Sequence, residues 1–165
     1  MVRSHEVALP FDLAGEVEVK VENYETGEIR RYFISNTVTN YARQVMAKWL
    51  IGTNNTGYNP VKPPSKIALG TGAPTPPKTG PDPTDTALWS EKAGTRKAAV
   101  REVYNLYYAQ YIVIYTTSDP ADTYKEAGLF DDDGNLWGHV ALSNIPKSAL
   151  EALTVLWKLY AKLPG

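Results

Sequence analysis

The chain has 165 residues, 43% hydrophobic and 21% charged, enough apolar material to bury about 70% of the unfolded surface in one domain and too much for a disordered chain. Its 17 basic and 18 acidic residues are interspersed and leave a net charge of −1, so no basic stripe exists for a nucleic-acid partner. The absence of cysteine removes disulfides, thiol nucleophiles and thiolate metal sites together.

No apolar run approaches the roughly 18 residues of a membrane span, and the N-terminal stretch lacks the apolar core of a secretory signal. A soluble, unprocessed protein with no membrane partner is expected. It reads as a single domain over 1–165, with an N-terminal arm over 1–14 and a proline-rich loop over 73–84.

In chain order, Val17, Val19 and Val21 alternate with charges until Glu25-Thr26-Gly27 interrupts them, and Ile29 and Phe33 resume the pattern. This is a hairpin with one buried face. Val38, Tyr41, Ala42, Val45, Met46, Trp49 and Leu50 then fall at spacings of three and four, predicting an amphipathic helix of about four turns over about 37–51. Asn36 or Thr37 can cap it and Gly52 can stop it. Residues 53–65 form a polar loop, and Lys66–Leu69 is a short strand ending at Gly70.

The stretch that follows, "TGAPTPPKTGPDPTDTALWSE", is a second long loop, and its prolines make it stiff where a Gly/Ser linker would be flexible. From Arg96 to Thr117 tyrosines and β-branched residues predict two strands with a bend near Asn105 or Leu106. Asp133-Gly134 marks the turn of a second hairpin between Leu129-Phe130 and Leu136-Trp137, and Ile145-Pro146-Lys147 reads as a break.

The C-terminal segment carries two conflicting patterns. Ser148 and Glu151 have capping-box spacing, and Leu150, Leu153, Leu156, Trp157 and Tyr160 share a helical face. Val155, Trp157, Leu159 and Ala161 also alternate with Thr154, Lys158 and Lys162, as in a strand. Local propensity favours the helix.

Motifs of chemistry are sparse. "GTGAPTPPKTG" lacks the Gly-Lys-Ser/Thr of a phosphate loop and the third glycine of a dinucleotide loop, and its prolines delete N–H donors where phosphate would need them. "DDDG" at 131–134 lacks the alternate ligands and final glutamate of a calcium loop and reads as a solvated turn. His5 and His139 are the only histidines, and neither suggests a metal cluster or a triad.

Glu126 and Asp131 could act as an acid/base pair across a hairpin, but solvated charges at strand ends are the reading adopted. No catalytic, cofactor-binding or metal-ligating residue is assigned. Tyr104, Tyr107, Tyr108, Tyr111 and Tyr115 could stack on sugars or bases, though core and interface packing is the simpler use.

Taken in order, the "TGE" hairpin, "NTVTNYARQVMAKWLIG", "IALGTG", the proline loop, "TDTALWSE", Arg96, "EAGLFDDDGNLWGHVALSNIPKS" and "LTVLWKLYA" resemble a group of small virion structural proteins of tailed bacteriophages. These are tail, tail-fibre or collar-associated, and the likeness runs from about Gly15 onward. The proline insertion over 74–83 is longer than that group's usual loop.

The resemblance implies a strand over 153–162 against local propensity, while Ala149, Leu150, Glu151 and Ala152 depart from the group's usual residues as better helix formers and predict a short helical turn ahead of it. The resulting fold class is mainly β, an antiparallel β-sandwich or barrel-like domain with one flanking helix. It also implies a non-enzymatic virion component that assembles as a homo-oligomer with other virion proteins. The loop would then be a docking surface, and the interface candidates are Pro74, Pro76, Pro77, Pro81, Pro83, Trp89, Tyr107 and Tyr111. Alternatives that stay open are a decoration protein on the capsid and a carbohydrate- or receptor-binding module with a host surface receptor as partner.

Overall fold

A computed structural model describes residues 12–50, 62–104 and 108–162. The fold is mainly β, with two five-stranded antiparallel sheets and one short helix among the described residues. The expected first hairpin is formed by β1 (Asp12–Asn23) and β2 (Ile29–Ser35), so residues 12–14 of the expected N-terminal arm belong to a strand. Asn23 closes its turn: Oδ1 accepts the N–H groups of Glu25 at 2.9 Å and Thr26 at 3.0 Å, and Gly27 sits at φ 72°, where a side chain would be strained. Val17, Val19 and Val21 face inward and are buried, as the alternation requires.

The helix is shorter than expected. Thr37–Val38 is a strand, β3, paired with His139 and Gly138, and α1 spans only Asn40–Leu50, about three turns. The cap is therefore Thr39, not Asn36 or Thr37. Its Oγ1 accepts the Ala42 N–H at 3.3 Å and donates to the Leu136 carbonyl at 2.6 Å, which tethers the start of the helix to the second hairpin. Ala42 and Val45 supply the buried stripe. Gly52, Tyr107 and the expected bend at 105–106 lie outside the described residues.

Beyond it come β4 (Lys66–Gly70), β5 (Lys97–Ala98), β6 (Val100–Tyr104), β7 (Tyr108–Tyr115), β8 (Asp122–Phe130), β9 (Leu136–Lys147) and β10 (Glu151–Lys162). One sheet has the order β2-β1-β10-β7-β6 and the other β3-β9-β8-β4-β5. The edge strand β2 runs through Asn36 into β3, an edge of the other sheet, and β5 runs through Ala99 into β6. Both sides of the sandwich are thus stitched by a strand that changes sheets, which gives it barrel-like corners. The expected pair of strands over 96–117 is three for this reason.

β10 resolves the helix–strand conflict in favour of the strand. It lies between β1 and β7, pairing along its length with the first and over Leu153–Tyr160 with the second. A helix there would strip both neighbours of their backbone partners in the middle of a sheet. Leu153, Val155, Trp157 and Leu159 point inward and are buried. The capping-box contact does form, with the Ser148 N–H donating to Glu151 Oε2 at 2.7 Å, but it closes a single turn that leads into the strand. Pro146 does not break the chain either: β9 runs on to Lys147 with Pro146 opposite Thr123, and a register shift between Tyr124 and Glu126 absorbs the irregularity.

The main core lies between the sheets, centred on Trp157, Tyr115, Tyr124, Ile67, Leu129 and Ile145. A smaller apolar cluster of Ala68, Leu88, Phe130 and Leu136 lies where the proline loop's return covers the outer face of the β4-containing sheet. The outer face of the other sheet has no such cover among the described residues.

Candidate functional site

The proline loop is tied back onto its own sheet by a buried cluster of charge. On the outer face of β8 and β9, Gly128 stands opposite His139, and Glu126 lies two pairs further along on the same face. His139 is fully buried; its Nδ1 lies 2.8 Å from Asp85 Oδ2 and its Nε2 3.0 Å from Glu126 Oε2. To donate to both carboxylates at once, the ring must carry both its protons.

Glu126 also accepts the backbone N–H groups of Gly72 (3.1 Å), Trp89 (2.8 Å) and Ser90 (2.7 Å), so both ends of the loop converge on one carboxylate. Asp85 accepts the Asp82 N–H at 2.9 Å and pairs with Lys78. The Trp89 ring rests on the imidazole at 4.6 Å between centroids.

The electrostatics follow from these partners. Burial pushes the Glu126 carboxyl up, but the hydrogen bonds from His139, Ser90 and Trp89 outweigh it and hold the group below the ordinary glutamate range. The same balance holds for Asp85, where burial is overcome by Lys78, the Asp82 N–H and His139. Both therefore stay ionised beside the ring. Gly70 and Gly72 make room for this: a Cβ on Gly70 would lie 2.6 Å from Glu126 Cγ, and one on Gly72 2.7 Å from its Oε1.

Asp131, the other carboxylate singled out in the sequence, belongs to a separate cluster. It is buried and accepts the Asp133 and Asn135 N–H groups at 3.0 and 2.9 Å, the Tyr41 hydroxyl at 2.8 Å and the Asn135 amide. It fastens the β8–β9 turn to the helix. Burial first, then the Asp131 hydrogen bond and charge, push the Tyr41 phenol up to about 12.

Glu126 and Asp131 are thus neither solvated strand-end charges nor a pair facing across a cleft. The solvated-turn reading of "DDDG" holds for the exposed Asp132 and Asp133, which meet Ser65 and Lys62, and fails for Asp131. Among the described residues no group of three or more His, Cys, Asp or Glu side chains is placed to hold a metal ion.

The expected interface residues fall in different places. Pro76 and Pro77 are exposed at the loop tip, while Pro74, Pro81 and Pro83 are half-buried. Pro83 and Pro81 work through their carbonyls, which accept the Asn40 N–H at 2.7 Å and the Thr37 hydroxyl at 3.4 Å. Trp89 is no free anchor, because its backbone and ring are engaged with Glu126 and His139. Tyr111 is 6% exposed and belongs to the core. Tyr115, Tyr124, Trp137 and Trp157 are also buried, which removes them as stacking platforms.

Sequence reasoning missed the joining of Asp85, Glu126 and His139, which are 54 and 13 positions apart along the chain. The available signal was a lone histidine in the otherwise apolar stretch Leu136–Leu142, a position that demands buried partners. No family model, curated protein or solved structure matches this chain.

Proposed function

We propose that this protein is a non-enzymatic structural component of a tailed-bacteriophage virion, acting through protein–protein contacts in the tail or its appendages. One observation carries the reading: the separate motifs behind the sequence resemblance pack against one another. Gly72 of "LGTG" and Glu126 of "EAGLF" share a hydrogen bond, and Asp85 of "DTAL" reaches the imidazole that Glu126 also holds. Leu88 packs on Phe130, and Arg96, bound to Glu91, lies 3.8 Å over the same ring.

These motifs serve to lock a stiff loop, not to line a cleft. A rigid loop loses little entropy when it docks, which suits a subunit held at a fixed angle. Its exposed tip, residues 75–79, is the part left to meet a neighbour. Immunogold labelling of purified phage particles with antibodies against this chain is expected to mark the tail. Label on the head would move the assignment to capsid decoration, and unlabelled particles that contain no copy of the chain would overturn the reading.

A further inference from the structure

We propose that the outer face of the β2-β1-β10-β7-β6 sheet is the surface on which a second copy of this chain docks, face to face. The inference rests on the assembly reading above only in that it names the partner and the surface. Across this face the strand registers align one row of side chains, Phe33–Glu18–Leu156–Ile112–Val100, of which four are apolar. Phe33 is 74% and Val100 61% exposed, and Ile114 beside them 54%. An apolar band across a sheet face marks an interaction surface. The opposite sheet bears a comparable patch, and there Leu88 covers it from within the same chain.

The flanking rows say what fits. On one side lie Arg31, Lys20 and Thr154; on the other, Ser35, Glu16 and Lys158. A two-fold axis lying along the apolar row sets each apolar residue against its own copy and each Lys20 over the partner's Glu16. Lys20, which pairs with Glu22 in its own chain, would then exchange that partner for a depression beside Phe33 lined by Glu16, Glu18 and Ser35, with Lys158 also on its wall.

Glu18, which meets its own copy, is already paired with Arg31 within its chain. A two-fold axis along the strands would instead stack Lys158 on the partner's Lys158, a like-charge contact. The area is sufficient. Strands of 12, 7, 12, 8 and 5 residues, at about 4.8 Å by 3.3 Å per residue, cover about 700 Å² per copy, close to the ~800 Å² per partner of a standard stable interface.

Sedimentation equilibrium on the full chain tests this. The unaltered protein is expected to dimerise, and Phe33→Asp and Val100→Asp, both on exposed side chains, should each raise the dissociation constant about tenfold or more while leaving the unfolding transition in place. Lys20→Glu should weaken the dimer, and adding Glu16→Lys should restore it. A monomer at every attainable concentration, or a dimer that Phe33→Asp leaves intact, overturns the proposal. A monomer that still labels phage particles would sink this pairing alone; a dimer absent from particles would sink the virion assignment alone.

Discussion

Replacing Glu126 tests whether the buried cluster fixes the loop. Glu126→Ala removes the acceptor of three part-buried backbone N–H groups and of one buried imidazole nitrogen. Water reaches part-buried groups, so each stranded N–H costs near the lower end of about 1–3 kcal/mol and the three together about 3 kcal/mol, against a total stability of about 5–15 kcal/mol for a typical domain. That variant is expected to be strongly destabilised.

Glu126→Gln is the more informative change. Its carbonyl oxygen can still serve Gly72 and Ser90, but an NH₂ group now faces the Trp89 N–H, and only the His139 contact can be recovered, by a neutral ring. One stranded donor at about 1–3 kcal/mol and a charge-assisted bond weakened to a neutral one at about 1 kcal/mol make about 2–4 kcal/mol. Urea unfolding should show this loss, and limited proteolysis should show faster cutting at residues 75–79. A Glu126→Gln protein within about 0.5 kcal/mol of the parent, with its loop equally protected, would refute the role assigned to the cluster.

Asp85, Glu126 and Asp131 all have carboxyls held below their ordinary values, so the unfolded chain takes up protons at higher pH than the folded one. Their stabilisation is present above the ordinary carboxylate range near pH ~4 and is lost as pH falls through the folded values; urea midpoints measured against pH should drop there, and less steeply in Glu126→Gln. At the alkaline end the sign reverses. Tyr41 and Tyr124 are pushed up to about 12, in both cases mainly by burial, so their contribution holds below pH ~10 and is lost as pH rises toward 12. Tyr41→Phe should remove one late-titrating phenol from the tyrosinate absorbance curve. At the β2–β3 corner, a Cβ on Gly138 would sit 2.7 Å from Asn36 Nδ2 and 2.8 Å from Trp157 Cζ2; Gly138→Ala should therefore cost about 1–3 kcal/mol in a thermal melt, and an unchanged melt would mean the corner has slack.

What could be read along the chain was local. The valines of β1 alternate because one face is buried, and Glu25-Thr26-Gly27 and Asp133-Gly134 carry turn chemistry that works with near neighbours only. Those signals survive into the structure because each needs nothing more than a few adjacent residues. The helix start was misplaced because Thr37–Val38, helical by spacing, is taken by a backbone ladder to Gly138 and His139, and Thr39 caps only because Leu136 is within reach. β10 is a strand because β1 and β7 flank it; its own residues favour a helix. The same holds for the candidate site: Glu126 and Asp131 looked like solvated charges because burial is a property of what packs above them. A carboxylate can be buried only with its donors in place; those of Glu126 come from a loop more than thirty residues away, and Asp131 adds to its near neighbours the hydroxyl of Tyr41, ninety residues away. Alternation and turn residues were thus determined by sequence alone, whereas the sheet to which each strand belongs, and the pairing of Asp85 and Glu126 with His139, were decided by long-range contacts that exist only once the sandwich has closed.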